Sequence, residues 1–225
     1  MQAMNSVLPY LYTISGPPAD RPVGARQAPL SALALLAGVL LLLSHSPEAG
    51  LVPQSEIIPL EDTQGDLTLA EIVERIEQHL PAGHKPQAYR LGKLVFELGE
   101  RHQLSPALIL AVIEMESSYR FAVKSKAGAI GLMQLLPGTA AEVAKRYHIR
   151  SYHSAEDLSD PSVNLRVGVA YLAQLRRQFG HSLHYLAAYN LGPTALRRRL
   201  NSGRYELGAL EPYVRSIHER ARLLR

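Results

Sequence analysis

Apolar residues recur at helical spacing along most of the chain, and no stretch alternates as a strand would. Leu69, Ile72, Val73, Ile76 and Leu80 form one stripe, opened by Thr68 with Glu71 three residues on, the pattern of a capping box. Pro81 and Gly83 end that helix. Leu91, Leu94, Val95 and Leu98 make a second buried face. Ser105 followed by Pro106 is an N-cap with a proline at the first helical position. The helix it opens, predicted over 106–118, is apolar almost all round, so other helices must enclose it. Thr139 with Glu142 predicts a second capping box, and Asp160 with Pro161 another capped start. Further helices are predicted over 161–178, 182–190, 194–201 and 212–224, the last with Val214, Ile217, Ala221 and Leu224 on one side.

The N-terminal part differs. A leader rich in Pro, Gly and Ala carries Arg21 and Arg26, and an uncharged apolar run follows from Leu30 to Leu43. A basic flank, an apolar stretch and a small-residue exit at Ser44, Ser46, Pro47 and Ala49 read as an export signal. That run falls short of the roughly 20 residues of a membrane span. The uncharged stretch from Ala28 to Ser46 is longer, so a retained anchor stays open beside a cleaved signal. Arginines ahead of the run put the C-terminal bulk outside the cytoplasm. The predicted organisation is an export signal or membrane anchor over 1–46, a linker with one short helix over 47–85, and an all-α domain over 86–225, large enough for one core.

Composition narrows the chemistry. With 225 residues, 47% hydrophobic and 20% charged, the chain is an ordinary packed protein. It has no cysteine, which excludes disulfides, thiolate metal sites, cysteine nucleophiles and a lipid-modified N-terminal cysteine. Its nine histidines are scattered, and no cluster of His, Asp or Glu asks for a metal. A formal net charge of +4 suits an anionic polymer without choosing between nucleic acid and cell wall. Arg197, Arg198 and Arg199 come without a nucleic-acid recognition motif.

Glu114 and Glu116 end the apolar helix. Two residues apart is about 200° around the axis, so at most one enters a cleft while the other meets solvent or a partner. Burial and the negative end of the helix dipole both raise the pKa of a carboxylate there. A raised pKa is what a general acid needs at neutral pH. The helix by itself does not choose between the two. Further along, Gly128 and Gly131 permit close backbone approach, and Leu132, Met133 and Gln134 offer an apolar wall with an amide, which suits a sugar ring bearing an acetamido group. Tyr189 and Asn190 place a phenol and an amide at a helix end, before Gly192.

Taken in order, Glu116–Ser117, GAIGLMQLLPGTA from Gly128, DPSVNLRVGVAYL from Asp160 and AYNLGP from Ala188 resemble the lytic transglycosylases of the soluble-lytic-transglycosylase (SLT) type. The resemblance covers about residues 86–218 and implies a lysozyme-like, goose-type helical fold. It also implies that the glutamate before the serine, Glu116, is the catalytic acid. By the same match Ser117, Tyr119, Met133, Gln134, Tyr189, Asn190 and Tyr213 are expected at the substrate, with the Tyr189 hydroxyl near the Glu116 carboxyl. Two departures stand out. Leu191 replaces the usual alanine, and Leu210, Glu211 and Pro212 precede Tyr213 where the family has an acidic–threonine pair.

The implied reaction cleaves the β-1,4 bond between N-acetylmuramic acid and N-acetylglucosamine, with one glutamate acting first as acid and then as base to leave a 1,6-anhydromuramyl end. No metal or cofactor enters. Peptidoglycan strands in the periplasm or cell envelope are the expected partner, with an envelope-spanning machine as a second candidate and the membrane a third if the N-terminal segment stays uncleaved; nucleic acid is not expected. Two other readings remain at this level. A muramidase would need a second carboxylate to hold water, for which Asp157 and Asp160 are placed by position only. A non-catalytic wall-binding module would have no use for an acid on a buried helix.

Overall fold

A computed structural model describes residues 67–180, 184–202 and 211–225 of the chain. The proposed export segment and most of the linker lie outside the described residues. Regular structure within the described part is helical, apart from two isolated bridges, Lys124 with Ile130 and Ile130 with Leu135, which pinch one loop into a hairpin-like turn.

Helix α1 (Leu69–His79) starts at the capping box read from the sequence: Thr68 and Glu71 bond reciprocally. Its Ile72 and Ile76 join the core shared by the helices that follow, so the helix expected in the linker packs with the domain. A Cβ added to Gly92 of α2 (Ala88–His102) would fall 2.6 Å from Val73 Cγ2, a measure of how closely α1 lies on α2. Between them runs a 3-10 turn, Ala82–Gln87. It is too short to leave a period in the sequence.

Helix α3 (Pro106–Ser117) is the enclosed helix, with every residue from Pro106 to Ile113 buried. Helix α4 (Pro137–Tyr147) corrects one expectation. It begins at Pro137 with Leu136 as its N-cap, and no side chain caps it. Thr139 therefore lies inside the first turn, because a proline at the first helical position sets the start before the Thr139–Glu142 pair can.

A second 3-10 turn, Ala155–Ser159, leads to the Asp160 cap, whose Oδ1 accepts from Ser162 N and Val163 N at 2.7 and 3.0 Å. The long helix α5 (Pro161–Phe179) runs through the middle against α2, α4 and α6 (His184–Leu191). Helix α7 (Pro193–Asn201) follows, and α8 (Glu211–Leu223) packs on α3 and buries Val214 and Ile217. No helix among the described residues is long and apolar enough to cross a membrane.

Candidate active site

Glu116 occupies the last turn of α3, where burial pushes its carboxyl up to about 7. The hydroxyl of Tyr213, on α8, donates to Glu116 Oε1 at 2.5 Å and pulls in the opposite direction. Burial is the larger effect, so the acid stays protonated to near neutrality. The phenol of Tyr213 is itself raised well above its ordinary value, by burial first and then by the Glu116 charge, so it remains a donor.

Glu114, two residues earlier, takes the other role that the helix geometry leaves. Arg220 of α8 donates to its Oε1 at 3.3 Å, with both side chains about a third exposed. One helix thus holds both glutamates by residues two turns apart, Tyr213 on Glu116 and Arg220 on Glu114.

The loop carrying Gly128 to Leu136 is pinned from α5. Asn164 is fully buried, accepting from Met133 N at 2.8 Å and donating to the carbonyls of Ile130 and Leu158 at 2.9 Å each. Gly131 is held at φ +82°, and a Cβ there would sit 2.2 Å from Asn164 Nδ2. Only glycine lets the loop lie this close. Gln134, at φ +47°, donates from its Nε2 to the carbonyls of Val123 and Gly131 at 3.1 and 3.0 Å. That leaves its amide oxygen to accept from a ligand. Leu136, two residues on, is 46% exposed, a large apolar side chain at the surface beside it.

The structure separates the residues that the sequence groups together. Tyr189, at the end of α6, donates its hydroxyl to the Met133 carbonyl at 2.7 Å, and its ring tilts against Tyr171. It is close enough that the Glu116 charge adds to the burial raising its phenol. The hydrogen bond to the Glu116 carboxyl comes from Tyr213. Asn190 is exposed at the same helix end. Ser117 is 1% exposed and donates to the Ile113 carbonyl, and Met133 is 0% exposed. Tyr119 is 2% exposed and stacked on His79.

The carboxylates considered for a second acid are occupied. Asp157 accepts from His153 N and Ser154 N at 2.6 and 2.9 Å, and Asp160 caps α5. No group of three or more His, Cys, Asp or Glu able to hold a metal is found among the described residues. Arg197 lies over the Phe179 ring.

Residues the sequence reading did not single out complete the site. Asn164 looked like one polar residue in a helix, because its three partners come from a loop more than thirty positions away and from the preceding turn. Arg220 carried no signal as the partner of Glu114, 106 positions away.

The profile of the transglycosylase SLT domain matches residues 93–208, over half of the chain. The soluble lytic murein transglycosylase of Escherichia coli (strain K12) is 36% identical over 116 residues, covering 51% of this chain and 18% of that protein. Membrane-bound lytic murein transglycosylase C of Actinobacillus pleuropneumoniae serotype 5b (strain L20) is 31% identical over 135 residues, covering 56% of this chain and 37% of the relative. Among solved structures, an inactive glutamate-to-glutamine mutant of the lytic transglycosylase Slt from Pseudomonas aeruginosa aligns with a TM-score of 0.53 at 28% identity, over 68% of this chain and 27% of that one. In each case the chain spans less than two fifths of the relative's length. On the extent of that profile match, and with its motifs standing where the helices bring them together, the chain belongs to the SLT-type transglycosylase family.

Proposed function

We propose that the protein is a peptidoglycan lytic transglycosylase whose single catalytic carboxylate is Glu116. The observation that carries this reading is a glutamic acid in the last turn of an enclosed helix whose Oε1 accepts from the Tyr213 hydroxyl at 2.5 Å, a setting in which burial raises its pKa to about 7. Family membership, relatives named for murein cleavage, and a structural neighbour inactivated by a glutamate-to-glutamine change support it.

Glu116, protonated, donates to the oxygen joining N-acetylmuramic acid to N-acetylglucosamine, and the C1–O bond breaks. The muramyl ring, left cation-like, is stabilised by its own acetamido oxygen, while the N–H of that acetamido group donates to the Gln134 amide oxygen. Glu116, now ionised, takes the proton of the muramyl C6 hydroxyl as that oxygen closes on C1. The acid is regenerated and no water is consumed. Tyr213 keeps the carboxyl oriented through both proton transfers, Asn190 reaches the sugar from the α6 end, and Leu136 offers an apolar surface to a ring face. Ser117, Met133, Tyr119 and Tyr189 hold this frame from behind.

The muramidase alternative is disfavoured by the engagement of Asp157 and Asp160 with backbone amides. Work on peptidoglycan places the protein in the periplasm or envelope, in line with the export segment read from the sequence and with a membrane-bound relative. The test is release of soluble fragments from purified sacculi. Wild type and Glu114→Gln should release them and Glu116→Gln should not. Release by Glu116→Gln at the wild-type rate would refute the assignment.

A further inference from the structure

A concavity of about 530 Å³ that Glu116 does not line lies within the usual range of small-ligand pockets. Its walls come from four separate pieces of chain: the 3-10 turn with His84 and Gln87, the first turn of α2 with Arg90, the segment after α3 with Arg120 and Phe121, and the start of α5 with Asp160. We infer that this cavity is an accessory site for the carboxylate of a short peptide, namely the peptides borne by the glycan on which Glu116 acts. The inference rests on the proposed substrate.

Charge carries the argument. Arg90 donates to Gln87 Oε1 at 2.9 Å and Arg120 to the Ser117 carbonyl at 2.8 Å, and among the described residues neither guanidinium meets a carboxylate. Each keeps N–H groups for a ligand anion. The one acid in the described wall, Asp160, is already committed to the amides that start α5, where the helix dipole offsets its charge. The cavity is therefore cationic. Phe121, packed against the His84 ring at 4.7 Å, gives it an apolar side for an aliphatic peptide chain.

The backbone is also arranged to build this wall. Ser118 and Tyr119 stand one after the other in the left-handed region, at φ +49° and +61°, an uncommon conformation for two non-glycine residues in a row. This double turn ends α3 directly after Glu116 and Ser117 and brings Arg120 and Phe121 to the cavity. Arg120 also caps α3 through Ser117, so Arg90 is the cleaner residue to change.

The full-length protein would be assayed on peptide-bearing glycan strands and on the same strands stripped by an amidase, with calorimetry of the free stem tetrapeptide and of inorganic phosphate alongside. Arg90→Gln should raise KM about tenfold on peptide-bearing strands with kcat held, leave stripped strands unaffected, and weaken the tetrapeptide to match. Arg90→Lys should recover part of the loss. An equal effect on both strand types, or none on either, would overturn the inference while leaving the catalytic assignment standing. Phosphate binding without tetrapeptide binding would also overturn it, marking a simple anion site. Wild-type failure on both strand types would instead sink the proposed reaction, and the tetrapeptide calorimetry would still decide what the cavity binds.

Discussion

The Tyr213 hydroxyl lies 2.5 Å from Glu116 Oε1 across 97 positions of chain, and it draws down a carboxyl pKa that burial raises. A hydrogen bond donated to a carboxylate favours the charged form, so this bond holds the Glu116 pKa below where burial alone would put it. Activity that needs protonated Glu116 should fall as pH rises through about 7. Tyr213→Phe should move that alkaline limb to higher pH, so at pH 8 the variant keeps a larger share of its own maximal rate than wild type does. A kcat/KM profile with its limb unchanged or moved downward would contradict this.

Burial of Glu116 also predicts a stability signature. Its folded pKa lies above the unfolded value of 4.5, so the folded state is favoured where the group is protonated and loses stability as pH rises towards 7. Glu116→Gln, which cannot ionise, should match wild type near pH 4 and exceed it at pH 8 by up to about 3 kcal/mol. Denaturant melts at the two pH values measure the difference. Equal stability at both would mean that the carboxyl is not held in an apolar setting.

Asn164 ties the α5 helix by hydrogen bonds to the loop of Met133 and Gln134. Asn164→Leu takes its partner from the Met133 amide and the Leu158 carbonyl, while the Ile130 carbonyl keeps Leu135 N, at a cost of about 3 kcal/mol. The variant should melt earlier and show a raised KM, because the loop presenting Gln134 is released. Gly131→Ala strikes the same contact through its Cβ and should behave alike.

Glu114→Gln should be mild. The pair with Arg220 is about a third exposed, so its loss is worth no more than about 1 kcal/mol. Turnover on sacculi should stay within a few fold of wild type. A collapse of activity on the scale expected of Glu116→Gln would require Glu114 to share the chemistry.

What could be read from the sequence is what local periodicity or one contiguous motif encodes. The Thr68 and Asp160 caps and the apolar length of α3 needed only a few neighbouring residues, and each formed as read. The Thr139–Glu142 pair was equally local, but Pro137 competes for the same helix start and wins. That two glutamates on opposite sides of a helix would take different partners also followed from its geometry. Which partners did not. Tyr213 and Arg220 reach α3 only because the chain end folds back as α8, and no spacing encodes a contact between residues about a hundred positions apart. Tyr119 and Met133 match family positions expected at the substrate, yet a motif does not distinguish a side chain that touches a ligand from one that packs behind it. In the structure both side chains are almost fully buried.

The proposed reaction uses one carboxylate as acid and then as base, with no water consumed. Digestion of sacculi in heavy-oxygen water, followed by mass spectrometry of the released muropeptides, tests it most directly. The expected products are muramyl ends that are lighter than hydrolysed ends by one water and carry no label, all lost in Glu116→Gln. Labelled reducing ends would contradict it, because an oxygen from solvent would then have completed the cleavage.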